Sequence, residues 1–177
     1  MTDINYWKKI YQGLWATTGK REEAVTQTIE KLTGRKVNII GMGAGSDKFL
    51  SGNAISHGYK KGDPDMTVEG TNICLEVTGP NINVPYTVPL WIRPDKIENA
   101  KGHFPAKDTW IIHCIENHTI RTIKLDAPFF ARYDSGQFEI VHPVIRHVPE
   151  TYIAIPYNDL CVLTFDALIE HIKNWKK

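Results

Sequence analysis

The sequence predicts an α/β fold, a mixed central β-sheet flanked by helices, in a single domain spanning residues 1–177. Three observations carry that prediction. Apolar residues recur at helical spacing near both ends of the chain, at Val25, Ile29 and Leu32 and again at Phe165, Leu168, Ile172 and Trp175. Between them lie short runs of period-two alternation, the cleanest being Ile73, Leu75 and Val77 against Cys74, Glu76 and Thr78. Trp110–Ile115 is an unbroken apolar run, the signature of a strand covered on both faces. Hydrophobic residues at 42% and charged residues at 23% of 177 are those of a globular chain, which excludes a disordered or fibrous one.

The elements follow in order. Ile4, Trp7, Tyr11, Leu14 and Trp15 share one face of a first helix. Thr18 is placed to cap a second, running from Lys20 to Leu32 and closed by Gly34. At about 100° per residue, Glu22 projects beside the Val25/Ile29/Leu32 stripe, whereas Glu23, Gln27 and Glu30 point away. Val37–Ile40 reads as a strand, and Gly41–Gly62 as a glycine- and serine-rich loop. Asp65–Glu69 and Asn72–Thr78 form a hairpin about Gly70-Thr71. Pro80–Pro89 reads as a loop, and Pro94 opens a short helix, Asp95–Lys101. Strands are expected at Trp110–Ile115, Ile120–Leu125, Phe138–Val141 and Tyr152–Ile155, before a C-terminal helix capped by Thr164.

The net charge is +1, from 21 basic and 20 acidic residues, too balanced for a dedicated nucleic-acid coat but no obstacle to a single cleft that meets one. Cys74, Cys114 and Cys161 are odd in number and widely spaced, which suits reduced thiols rather than a disulfide framework. The histidines show no HExxH spacing. No apolar run reaches the roughly 18–20 residues of a membrane span, and Met1–Lys9 lacks the layout of a signal peptide, so a cytoplasmic protein without membrane contact is expected.

The residues that carry chemistry centre on Gly62-Asp63-Pro64-Asp65 and Glu76-Val77-Thr78. Carboxylates on neighbouring hairpin strands can converge on one hard cation, because Mg²⁺ takes oxygen ligands and keeps several waters. A cation held that way polarises a phosphodiester and acidifies water. The bland reading makes Asp65 a turn residue after proline and Glu76 a solvated side chain.

This arrangement resembles the PD-(D/E)xK nuclease superfamily over about residues 20–115. Pro64-Asp65 matches the family's PD and Glu76 its second acidic residue, while Glu22, ahead of an apolar stripe, matches an acidic residue often supplied by the family's first helix. The resemblance implies a restriction-endonuclease-like core and a Mg²⁺-dependent nuclease, with Mn²⁺ as a substitute. Its substrate would be nucleic acid, double-stranded DNA foremost. The chain departs from the pattern at Thr78, which stands where the family has lysine. Lys96, on the helix after the hairpin, is the candidate replacement. The implied catalytic set is Asp65, Glu76, Lys96, Glu22 and Thr78, with Asp65 and Glu76 as metal ligands. Duplex cleavage needs two sites, which implies a homodimer. Without a substitute lysine, the same fold would serve as an inactive module binding nucleic acid or protein.

Ser46, Lys48, Lys60 and Lys61 lie in or beside the glycine-rich stretch and are suited to phosphate contacts. Gly41-Met42-Gly43-Ala44-Gly45 lacks the third-glycine offset and following helix of a dinucleotide fingerprint. Trp7, Trp15, Trp110 and Trp175 read as core. Trp91, beside Arg93, reads as exposed for stacking or a subunit contact, and Phe129–Tyr133 as a surface for a partner copy.

Overall fold

A computed structural model describes residues 20–40, 62–80, 84–115, 119–145 and 147–176. Helix α1 covers 20–33. It is followed by β1 (Val37–Ile39), β2 (Met66–Val68), β3 (Ile73–Thr78), β4 (Leu90–Ile92), α2 (Pro94–His103), β5 (Asp108–Ile115) and β6 (Thr119–Leu125). Then come α3 (Ala127–Asp134), β7 (Glu139–Val141), β8 (Val144–Ile145), β9 (Val148–Pro149), β10 (Tyr152–Ile155), β11 (Val162–Thr164) and α4 (Phe165–Lys173). The main sheet runs β1-β2-β3-β5-β6-β11 and is mixed, because β3 and β5 pair in parallel whereas the other neighbours are antiparallel. A second, three-stranded sheet, β4-β10-β7, stands apart from it.

The β3–β5 register sorts side chains between two cores. Ile73, Leu75 and Val77 lie in line with Asp108, Trp110 and Ile112, while Cys74, Glu76 and Thr78 lie in line with Thr109, Ile111 and His113. The first face packs under α1 and α4 through Val25, Ile29, Leu168, Ile169 and Ile172. The second packs under α2, α3 and the small sheet through Ile97, Phe129, Phe130, Leu90, Ile92 and Ile155. Each such apolar side chain contributes about 1.5–3 kcal/mol on burial, so both helical layers are fixed firmly to the sheet. Glu76 therefore faces the α2 layer. Thr164 caps α4 as expected, accepting from Ala167 N at 3.3 Å.

Several expectations are corrected. Leu32 is 45% exposed, although Val25 and Ile29 are buried, because the last turn of α1 lies at the sheet margin, where β1 is the edge strand. Phe129 and Phe130 are core residues rather than a docking surface. Asp126 accepts from Phe129 N at 3.2 Å and, with Pro128, starts a helix that turns both rings inward. Leu90–Ile92, between two prolines, forms a strand, and α2 continues through Gly102 to His103. The N-terminal helix, the Thr18 cap and most of the glycine-rich stretch fall outside the described residues. Among the described residues, no helix is long and apolar enough to cross a membrane.

Arg121, 1% exposed, joins the small-sheet segment to the main sheet. Its Nη1 donates to the carbonyls of Tyr86 at 2.6 Å and Val88 at 3.0 Å, and its Nη2 lies 3.2 Å from His113 Nδ1. Burial, then the positive charges of Arg121 and Arg21, push His113 down to about 3. The unfolded imidazole titrates near about 6.5, so protonation favours the unfolded chain. The neutral ring's contribution is complete above that value and is lost as pH falls toward 3. The unfolding free energy of the wild type is expected to drop across this window and that of His113→Asn, which keeps an acceptor for Arg121, to drop less, by a difference of about 1–3 kcal/mol read from denaturant unfolding. Parallel stability curves for the two proteins would contradict this account.

Candidate active site

The β2–β3 hairpin sets Met66 opposite Leu75 and Thr67 opposite Cys74. One step further out, the same register brings Asp65 opposite Glu76 on the second face. Val77 N donates to Asp65 Oδ2 at 3.1 Å, which fixes that carboxylate against the neighbouring strand. The two acidic residues singled out in the sequence thus lie on one surface of the sheet.

Helix α2 brings the cation. Pro94 stands in its first turn with Asp95, and Lys96 leaves that turn toward the hairpin. Lys96 Nζ lies 2.7 Å from Glu76 Oε2, 2.8 Å from the Asp63 carbonyl and 3.7 Å from Asp65 Oδ1. An ammonium has three protons, and these three oxygens surround it. The approach of α2 depends on Gly62, whose φ is +92°. A Cβ there would stand 2.5 Å from the Asp95 carbonyl oxygen and 3.0 Å from Asn99 Cβ. Asn99 Nδ2 donates to Asp63 Oδ1 at 3.3 Å, strapping the 62–65 turn to the second turn of the helix.

The site is largely withdrawn from water, the side chains of Lys96, Asp65 and Glu76 being 13–17% exposed. Burial, reinforced by the Asp65 carboxylate, raises Glu76 well above the ordinary glutamate range, and Lys96 offsets part of that rise. Burial alone would lower the Lys96 ammonium, but the Glu76 and Asp65 carboxylates outweigh it and hold the group above its usual value. Lys96 therefore stays charged. A small pocket lies here, with Gly62, Pro64, Glu76 and Lys96 in its wall.

Two carboxylates from neighbouring strands form an oxygen donor set suited to a hard divalent cation, which completes its shell with water. The ammonium of Lys96 already lies against both carboxylates, so this surface accommodates positive charge. Among the described residues, no group of three His, Cys, Asp or Glu side chains gathers into an all-protein metal cage. The fit is that of a two-carboxylate, water-completed site.

Thr78 shares the face of Glu76, two residues on, and aligns with His113 across the parallel pair. Glu22, 2% exposed, comes from α1, which packs on the opposite face. The residue before it, Arg21, reaches the end of β3, donating to the carbonyls of Gly79 and Pro80. Ser46, Lys48, Lys60 and Lys61 lie outside the described residues. Asp63, in the same turn, serves the frame of the site: its carbonyl accepts from Lys96 and its carboxylate from Asn99. Asn99 was not foreseen. Its signal was only its spacing, three residues beyond Lys96 and hence on the same side of a helix.

Gly62→Ala is expected to push α2 off the hairpin, because both its positive φ and the short approach to Asp95 resist a side chain. Stability should fall by about 1–3 kcal/mol, read by denaturant unfolding. Lys96 should also lose register with Glu76, read as increased exchange of the Lys96 ammonium protons by NMR. A variant with wild-type stability and unchanged lysine signals would refute this role for Gly62.

No protein-family model matches the chain, and no curated protein matches it. Among solved structures, it is similar to Archaeoglobus fulgidus Hjc, a Holliday junction resolvase from an archaeal hyperthermophile, with a TM-score of 0.46 and 12% identity over 84% of this chain and 96% of that one. Similarity at that level assigns neither a family nor an activity.

Proposed function

We propose that this protein is a divalent-cation-dependent phosphodiesterase acting on nucleic acid, with DNA as the expected substrate and Mg²⁺, or Mn²⁺ in its place, as the cofactor. The observation that carries this reading is the contact of Lys96 Nζ with Glu76 at 2.7 Å and its approach to Asp65 at 3.7 Å. It supports a site in which Lys96 does the work of the lysine that Thr78 replaces.

In this reading Asp65 and Glu76 hold the cation. When bound, it supplies positive charge to a phosphodiester oxygen and lowers the pKa of water. Lys96, held in its charged form, donates hydrogen bonds and offsets negative charge that builds on the phosphate, a role for a fixed cation rather than a base. The Thr78 hydroxyl can donate and accept, which suits it to orient a water beside Glu76. Glu22, on α1, is the expected assisting acidic residue. One small subunit carries one such site, and cutting both strands of a duplex takes two, so a homodimer is the expected assembly.

A plasmid-nicking assay with Mg²⁺ tests the reading. Wild type should nick, and Asp65→Ala should not. Lys96→Ala should lose about 10²–10³-fold in rate, the scale of one preorganised electrostatic contact. Adding Thr78→Lys to Lys96→Ala should restore part of that loss, because the new side chain leaves β3 on the face of Glu76. Nicking that survives in Asp65→Ala would overturn the proposal. Nucleic-acid binding without any cutting by wild type would identify the fold as a binding module instead.

A further inference from the structure

Lys96 differs from Lys101 and Lys173, which meet one carboxylate each at the surface with side chains 38% and 42% exposed. The Lys96 side chain is 15% exposed, and its Nζ is enclosed by oxygens of the hairpin and of the turn before it. These are Glu76 Oε2 at 2.7 Å, the Asp63 carbonyl at 2.8 Å and Asp65 Oδ1 at 3.7 Å. Carboxyl and carbonyl oxygens are also the donors that a hard divalent cation takes. The ammonium is thus seated on the same donors that the phosphodiesterase reading gives to the metal.

Backbone hydrogen bonding narrows the choice of donors. Asp65 Oδ2 accepts from Val77 N at 3.1 Å, which ties that oxygen to β3, and Oδ1 is the oxygen turned to Nζ. A divalent cation bridging Asp65 and Glu76 while Nζ kept its contacts would press like charges together. The buried Ile111 lines the same pocket, so little solvent is there to screen them. Helix α2 is not free to retreat as a body. Ile97 and Ala100 are buried in the second core, Gly62 lies against the Asp95 carbonyl, and Asn99 is strapped to Asp63. The Lys96 stem is free to do so, because its four carbons put rotatable bonds between the helix and the charge.

We propose that the Lys96 ammonium and the divalent cation exclude one another from this seat, so that Lys96 gives up its bonds to Glu76 and Asp63 when a cation binds and only then becomes available to a phosphate. This deepens the phosphodiesterase reading and rests on it. The exclusion orders the assembly of the site: without a cation, Lys96 is engaged by the protein's own oxygens and has no proton to spare for substrate. The coupling is reciprocal, as any linkage between two equilibria must be. Whatever draws Lys96 away from the carboxyl groups favours the cation, and the cation in turn favours a free Lys96.

The test is reductive methylation of amines in the wild-type protein, read lysine by lysine by mass spectrometry with and without Mg²⁺. Calorimetry sets the Mg²⁺ concentration that saturates the protein. Saturation should raise the labelling rate of Lys96 by about 10–100-fold (~1.4–2.8 kcal/mol), the scale of a hydrogen bond to a charged group. Lys101 and Lys173 should keep their rates, and Asp65→Ala should show no Mg²⁺ effect at Lys96. In the same titration followed by NMR, exchange of the Lys96 ammonium protons should quicken. A Lys96 rate that is unchanged or slowed at saturating Mg²⁺ overturns the proposal, for then the cation binds beside the ammonium and leaves it in place. So does an equal rise at Lys101 and Lys173, which marks a general loosening of the fold. Because labelling is read without substrate, Mg²⁺ that frees Lys96 in a protein that never nicks plasmid sinks only the cleavage reading. Mg²⁺-dependent nicking with Lys96 still protected sinks only the exclusion, and a protein that binds no Mg²⁺ sinks both.

Discussion

The candidate site depends on burying two carboxylates side by side. Asp65 and Glu76 face each other across a hairpin and are both largely withdrawn from water. Like charges so placed repel, and desolvation costs each of them several kcal/mol. The rise in the Glu76 pKa relieves part of that repulsion, and a cation reaching both carboxyl groups relieves more. Lys96 is that cation, and the means of delivering it account for much of the local structure: proline at the start of α2, glycine at the point of closest approach, and the Asn99–Asp63 strap that sets the helix angle.

The two faces of the main sheet divide the labour. The α1/α4 side is an apolar layer with its polar contacts at the margins, among them Trp175 Nε1 donating to Asn72 Oδ1 at 2.9 Å. The α2 side mixes core and chemistry, since Ile111, aligned with Glu76, is 1% exposed beside an ionised site. A low-dielectric wall strengthens every charge interaction at Glu76. The second sheet then extends the α2 side outward, with Leu90 and Ile92 turned to the core and Trp91 turned away. A three-residue strand thereby connects the interior to an exposed aromatic surface.

Most of the α/β order was legible in the sequence, because hairpin, buried strand and terminal helix each carry a strong local period. Tyr152–Ile155 matches a strand to the residue. Short elements were not legible. Leu90–Ile92 is too brief to alternate, and its pairing with β10, about sixty positions on, leaves no local trace. The helix of Phe129 and Phe130 had a readable signal, Asp126 and Pro128 at its start, but two adjacent phenylalanines resemble a surface patch until the fold supplies a core. At the site, Asp65 and Glu76 were named from their hairpin spacing and Lys96 from the resemblance to the PD-(D/E)xK pattern, and the three do meet. Asn99 and the Asp63 carbonyl were beyond reach, because a backbone oxygen has no signature in sequence.

Lys96 and Arg121 show why one buried cation marks a candidate site and the other a fastening. Arg121 is held by two carbonyls and a neutral histidine, and among the described residues no carboxylate pairs with it and its Nε has no partner. Dipoles and a planar fork suit a permanent charge that never has to exchange. Lys96 instead lies against two carboxyl groups. Such a pair attracts any small cation that arrives with its own water, and an ammonium on a flexible stem can shift aside by rotating about its own bonds while staying close enough to act. The contrast is in the counter-charge: carbonyls lock a guanidinium into the architecture, whereas carboxylates around an amine create a place where positive charge can be traded.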